Sequence, residues 1–203
     1  MQTEIVRESP LVGVQDLLAK TPSRLHAQVR IEEMPFFELN NIRGNSNSPE
    51  FVQAIGDILG VALPAQPNTV SVGAKHVLWW LGPNEWLAQS LADTPATLEA
   101  ALRGKFGAQF ATSVDVSSGY TTLRLSGVHA RDVLQKGCPL DLHPSVFADG
   151  QCAQSCFFKA GVTLRPQADG AWIVIVRRSF ADYAVRMMLD AAHEFYAAHE
   201  FYL

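Results

Sequence analysis

The stretch Val114–Leu142, VDVSSGYTTLRLSGVHARDVLQKGCPLDL, decides the fold. Asp115-Val116-Ser117-Ser118-Gly119 interrupts an apolar run, and the residues predict a turn in which Gly119 supplies a positive φ. Thr121–Ser126 alternates, with Leu123 and Leu125 on one face and Arg124 on the other, the period of a half-buried strand. Ser126-Gly127 then marks a strand-to-helix joint. Ala130, Val133 and Leu134 follow at helical spacing, while Arg131, Asp132 and Gln135 face away. Gly137 in the C′ position ends that helix and Pro139 blocks its continuation. Leu140 and Leu142 flank Asp141 and return the chain to the core.

Upstream, residues 1–25 read as a leader with one apolar patch, Pro10-Leu11-Val12-Gly13-Val14 and Leu17-Leu18. Those side chains would anchor it on its own body or on a partner, and the sequence leaves both open. His26–Ile42 holds two strand-like runs broken at Met34-Pro35. Ser48-Pro49-Glu50 opens a helix with Ser48 as N-cap, with Phe51, Val52, Ile55, Ile58 and Leu59 as its buried stripe and Gly60 at its end. Val70, Val72 and Val77–Leu81 are strand material, Gly82-Pro83-Asn84-Glu85 is a tight turn, and Trp86-Leu87-Ala88 returns. Thr94-Pro95 caps a further helix with Leu98, Ala101, Leu102 and Phe106 inward and Gly107 beyond it.

Downstream, residues 153–177 predict two or three antiparallel strands with a turn at Gln167–Gly170. Trp172–Val176 is a near-continuous apolar run and belongs in the centre of a sheet. Ser179 is expected to cap the last helix with Asp182 at N3, and Val185, Met188, Leu189 and Ala192 form its inner stripe. The chain closes with AAHEFY at 191–196 repeated at 197–202. Six residues turn a helix by about 600°, so the copies do not share a face. Two units are too few for a solenoid, and each copy leaves two aromatics on a terminus expected to be exposed.

The 203 residues are 48% hydrophobic and 18% charged, too apolar for a disordered chain and long enough to bury a core without disulfides. A formal charge of −4 gives no attraction to phosphate backbones, which argues against nucleic acid as a partner. Met1-Gln2-Thr3-Glu4 lacks a basic signal-peptide start and no apolar run approaches the roughly 20 residues of a membrane span. With Cys138, Cys152 and Cys156 read as reduced thiols, the expected location is the cytoplasm.

No residues make a convincing catalytic constellation. Cys138, His143, Cys152 and Cys156 lack the close pairs of a zinc knuckle and read as small core residues. Cys138 sits near a helix C-terminus, where the dipole disfavours thiolate, although Lys136 favours it. His129 with Asp132, and His143 with Asp141, have spacings that arise by chance, and no nucleophile elbow accompanies them. Gly104, Gly107, Gly119 and Gly127 match no nucleotide-binding loop. Trp79, Trp80 and Trp86 read first as cross-strand core partners, then as a partner surface or a pocket wall. Trp79 and Trp80 must point to opposite faces.

Certain motifs in this order carry a resemblance. They are Ser9-Pro10-Leu11, Leu81-Gly82-Pro83-Asn84-Glu85-Trp86-Leu87, Asp115-Val116-Ser117, Leu123-x-Leu125-x-Gly127, Ala130-x-x-Val133-Leu134, Asp141-Leu142, and Trp172–Arg178 followed by Ser179-Phe180-Ala181-Asp182-Tyr183. The chain resembles the aminomethyltransferase fold of the glycine-cleavage T-protein and, more closely, the gamma subunits of bacterial heterotetrameric sarcosine oxidases, over most of residues 9–195. Lys136-Gly137-Cys138 is superficially similar to a cysteine motif of another folate-binding branch, but Pro139-Leu140-Asp141 does not continue it.

The resemblance implies an α+β, T-protein-like fold of mixed or antiparallel sheets with short helices, in two small halves packed together. On that reading 1–25 is the leader, 26–107 a ferredoxin-like half, and 108–203 a second α+β half with the C-terminal helix. It implies a structural, non-catalytic subunit with no catalytic, cofactor-binding or metal residues of its own. FAD, FMN, NAD, folate and zinc are then expected in the partners, which are the alpha, beta and delta subunits. A homodimer is conceivable for the isolated chain. The alternative carried by the same fold is a stand-alone folate-binding or one-carbon transfer protein.

Overall fold

The structure is a computed structural model that describes residues 8–20, 27–34, 36–91 and 97–197. Among these residues fifteen α-helices and strands follow one another: α1 Gln15–Ala19, β1 Arg30–Met34, β2 Leu39–Arg43, α2 Pro49–Leu59, β3 Val70–Val72, β4 His76–Gly82, β5 Glu85–Ser90, α3 Leu98–Phe106, β6 Thr112–Asp115, β7 Tyr120–Ser126, α4 Ala130–Gln135, β8 Ala153–Phe157, β9 Ala160–Pro166, β10 Trp172–Arg177 and α5 Ala181–Ala197. No helix among the described residues is long and apolar enough to cross a membrane.

Two five-stranded sheets form, with orders β3-β4-β5-β2-β6 and β8-β9-β10-β7-β1, and every pairing is antiparallel. In the first, β2-α2-β4-β5-α3-β6 is the ferredoxin-like βαββαβ order, with β3 added at the edge. The second runs β7-α4-β8-β9-β10-α5 and repeats that plan up to its last helix. The place that β6 holds in the first sheet is then taken by β1, from the other end of the chain.

This corrects the expected halves. Residues 26–107 are not a contiguous half: β1 pairs with β7, Ile31 opposite Leu125, while β6 pairs with β2, Ser113 opposite Ile42. The first unit is 39–115, and the second joins 30–34 to 120–197. The physical reason is that β1 pairs along the open edge of β7 and places Ile31, with Val29 just before it, in the second core.

Each sheet buries both faces. Ile42, Leu78, Trp86 and Ala88 face α2 and α3 of the first unit. Leu123, Leu125, Leu164, Trp172, Val174 and Val176 face α4 and α5 of the second. Between the sheets lie Leu39, Val77, Trp79 and Leu87 from one and Ile173 and Ile175 from the other. The result is a helix–sheet–sheet–helix sandwich. At one end the sheets are tied by main-chain bonds: Val70 N–H donates to Gly150 O at 3.0 Å and Cys152 N–H to Asn68 O at 2.8 Å. The leader settles on its own body, for Leu11 and Val14 are fully buried in the second core.

Local features follow the sequence with exceptions. Ser48 Oγ accepts from Phe51 N at 3.3 Å, and Gly60 closes α2 in the left-handed region at φ 68°. Val52 and Ala101 are exposed, so the stripes of α2 and α3 are narrower than expected. Thr94-Pro95 lies outside the described residues. The first turn of α3 is instead satisfied from a distance, where the buried Glu38 carboxylate accepts from Leu98 N at 2.7 Å.

Gly119 does not take a positive φ, since a 3-10 turn at Ser117–Gly119 makes the bend. The positive φ falls at Gly127, at 102°, where a Cβ would meet Gln28 O at 2.5 Å. Gly137 is needed for space, not for its φ, because the Phe158 ring lies 2.6 Å from where its Cβ would be. At the last helix, Ser179 lies within a 3-10 turn, and Asp182 pairs with Arg186 at 2.7 Å in place of a capping box. The first AAHEFY copy is anchored: Phe195 stacks on His129 and Tyr196 OH donates to Val29 O at 3.1 Å. The second copy lies outside the described residues apart from Ala197.

Candidate functional site

This fold disperses the residues that could carry chemistry. Among the described residues no three His, Cys, Asp or Glu side chains gather at metal-binding range, so Cys138, His143, Cys152 and Cys156 form no common site. Cys138 is buried and its Sγ lies 3.6 Å from Ser155 Oγ. Cys152 lies between the sheets, its thiol directed at Thr69 O (3.4 Å) and Trp80 O (3.5 Å), and burial pushes its pKa up to about 11. A thiol held neutral in this way is a poor nucleophile and a poor metal ligand at neutral pH.

The histidine pairs differ from one another. His129 Nδ1 lies 2.7 Å from Asp132 Oδ2, and its ring stacks on Phe195 with centroids 4.2 Å apart. Lys136 also lies over Phe195, 4.7 Å from the ring centroid, and pairs with Glu194 at 2.6 Å. This cluster fastens the end of α5 to α4. Asp141 reaches only the His143 backbone, at 2.9 Å from its N–H, while the His143 ring faces Ser145 Oγ at 2.7 Å. That is loop geometry rather than an acid–base pair.

The three tryptophans serve different layers. Trp86 is fully buried below α2 against Phe51, with ring centroids 5.6 Å apart, and its Nε1 donates to Pro64 O at 2.9 Å. Trp80 pairs across the hairpin with Trp86 and is half-buried on the same side. Trp79 points the other way into the space between the sheets, where the Arg165 guanidinium lies 5.6 Å from its ring centroid.

That inter-sheet layer has a polar strand of contacts that the sequence did not signal. Gln89 Nε2 donates to Thr122 Oγ1 at 3.2 Å across the two sheets. Arg165 is only 6% exposed, and desolvation lowers its pKa against the raising influence of Asp149. Arg165 Nε and Trp79 Nε1 have no hydrogen-bond partner among the described residues. The alternation of β9 places Arg165 inward, but only the facing of the second sheet tells which inside it enters.

On the outer surface an open cleft of about 610 Å³ is lined by Glu8, Ser9, Pro10, Val12, Ser118, Gly119, Arg177, Arg178 and Ser179. The leader forms one wall, held by a Ser9 hydroxyl bond to Glu33 of β1 and by Arg178 donating to Glu8 O at 3.1 Å. Glu33 also accepts from Thr121 Oγ1 at 2.8 Å. Thus leader, β1 and β7 are fastened at one point.

Two ferredoxin-like units packed sheet to sheet define an aminomethyltransferase-like fold. The glycine cleavage system aminomethyltransferase T from Bartonella henselae matches it with a TM-score of 0.60 at 13% identity, over 81% of this chain and 47% of that one. At that identity the likeness shows the fold alone. A chain of heterotetrameric sarcosine oxidase from Corynebacterium sp. U-96 superimposes with a TM-score of 0.82 at 28% identity, covering 93% of this chain and 96% of that one. Sarcosine oxidase subunit gamma of Corynebacterium sp. strain P-1 is 32% identical over 96% of this chain and 94% of its own length. Its namesake from strain U-96 is 35% identical over 95% and 93%. The sarcosine oxidase, gamma subunit family profile matches residues 43–194, and the chain belongs to that family.

Proposed function

We propose that this chain is the gamma subunit of a heterotetrameric sarcosine oxidase and acts as a structural, non-catalytic part of it. The complex would convert sarcosine, water and dioxygen to glycine, formaldehyde and hydrogen peroxide. With tetrahydrofolate present, the one-carbon unit would leave as methylenetetrahydrofolate. The single observation that carries this reading is near full-length similarity to gamma subunits, together with a TM-score of 0.82 to a chain of such a heterotetramer.

On this reading FAD, FMN, NAD, folate and zinc reside in the alpha, beta and delta subunits, and those subunits are the partners. The expected location is the cytoplasm, and isolated chains pair only to cover surface that the partners normally hide. The folate-binding alternative rests on the fold likeness to aminomethyltransferase T, which at 13% identity does not extend to ligands.

The test is co-purification. A tagged copy expressed with the flavin-bearing alpha and beta chains and with delta is expected to bring all three down in fixed ratio. A tagged chain that elutes alone would refute the proposal. Calorimetry of the isolated chain with tetrahydrofolate is expected to give no heat, and saturable heat would favour the folate reading.

A further inference from the structure

The cleft walled by the leader is lined by two adjacent arginines, Arg177 and Arg178, and one acid, Glu8. Arg30, Arg43, Arg103, Lys105, Arg124, Lys136 and Arg186 each have a carboxylate within 4 Å. Arg177 and Arg178 have none among the described residues, and they are adjacent, exposed and on one cleft wall. Arg178 spends one N–H on Glu8 O, and Arg177 lies 5.3 Å from the centroid of the Tyr120 ring, which holds its guanidinium at the cleft mouth.

The acids nearby are engaged elsewhere or unpaired with them. Asp182 is taken by Arg186, and Asp115 accepts from the Ser117 backbone and hydroxyl. Glu8 lines the cleft but meets Arg178 only through its carbonyl. Ser118 and Ser179 add exposed hydroxyls, and Val12 adds apolar surface at 59% exposure. A surface with paired cations, hydroxyl donors and a small apolar rim fits an extended segment that carries carboxylates beside an apolar side chain.

We propose that this cleft docks an acidic segment of a partner subunit in the heterotetramer. The inference rests on the subunit reading above and names the surface through which that reading operates. Charge complementarity selects the occupant: Lys20, Lys75, Arg131, Lys159 and Arg165 also lack a carboxylate within 4 Å among the described residues, but Arg177 and Arg178 are the two that are adjacent and share a cleft wall, in a chain of net charge −4. Such contacts act mainly on encounter rate, register and salt dependence.

The test uses the co-expressed complex. In the double variant Arg177→Glu/Arg178→Glu, retention of the partner chains is expected to fall about tenfold, and the salt dependence of the remainder to flatten. Both side chains are exposed, so the variant should keep a cooperative melt, lowered only slightly by loss of the Arg178 bond to Glu8 O, and that melt excludes misfolding. A photo-crosslinker placed at Ser118 should capture a partner peptide rich in Asp and Glu. Undiminished retention in the variant, or an adduct confined to residues 1–7 of this chain or to a second copy, would overturn the proposal. A wild-type chain that retains no partner at all is a different result, because it removes the subunit reading itself.

Discussion

The two units share one plan and differ in how they finish. The first closes its sheet with β6, which follows α3 directly. The second borrows β1, which lies ahead of the entire first unit in the chain. The first unit is therefore sequence-local, whereas the second is completed only by joining residues 30–34 to residues 120–126, and its core needs Leu11 and Val14 of the leader as well. The lesson is that the N-terminal segment, which reads as an appendage, is structurally part of the C-terminal half. It also forms a wall of the basic cleft, so fold completion and the proposed docking surface meet in one segment.

The comparison breaks most completely if the borrowed strand is removed. Deletion of residues 8–34 takes away Leu11, Val14, Val29 and Ile31, all in the second core. At about 1.5–3 kcal/mol for each buried aliphatic side chain the loss is about 6–12 kcal/mol, the size of a whole domain's stability. Circular dichroism should show loss of the cooperative transition. A deletion product with wild-type melting would refute the borrowed-strand account. Next in size is Trp86→Ala in the first unit, expected to cost about 3–5 kcal/mol by denaturant titration, since the indole is fully buried against Phe51.

Gly127→Ala strikes the joint between β7 and α4, where both the φ of 102° and the approach of Gln28 O resist a Cβ. A loss of about 2–4 kcal/mol is expected, against less than about 1 kcal/mol for Gly119→Ala. Equal effects at both glycines would show that the joint is not strained as described.

The space between the units is probed by pH. Cys152 titrates at about 11 when folded, against an ordinary value of 9.0, so the folded state favours the neutral thiol. Its contribution is complete below pH 9 and is lost as pH rises towards 11, because the unfolded chain ionises first. The melting temperature of the wild type should therefore drop more steeply over that window than that of Cys152→Ala. Parallel curves would contradict the buried neutral thiol. The smallest effect is expected from Ser48→Ala, about 1 kcal/mol, through loss of the bond to Phe51 N.

Much of the fold was legible because its punctuation is local. Ser48, Pro49 and Gly60 bound α2 where their chemistry predicts, and the apolar run Trp172–Val176 lies in the centre of its sheet as expected. Sheet membership was not legible, since β1 and β2 are neighbours in sequence that enter different sheets, and alternation alone does not name a strand's partner. Nor was the role of Glu38, whose carboxylate serves α3 from 60 residues away. Gly127 and Gly137 were identified as joints, but the backbone and ring that crowd them come from distant segments. Of the functional surface, Arg177 and Arg178 were visible as residues and the cleft was not, because its walls come from the leader, the Ser117–Gly119 turn, the end of β10 and the 3-10 turn that follows it.

On the reading proposed above, this chain serves a complex rather than a reaction of its own. The most direct measurement is mass and sarcosine-dependent peroxide production of the alpha, beta and delta chains expressed with and without it. With the chain, a single heterotetramer with full activity is predicted, and without it a smaller or dissociating assembly with reduced activity. Full assembly and full activity in its absence would contradict the account.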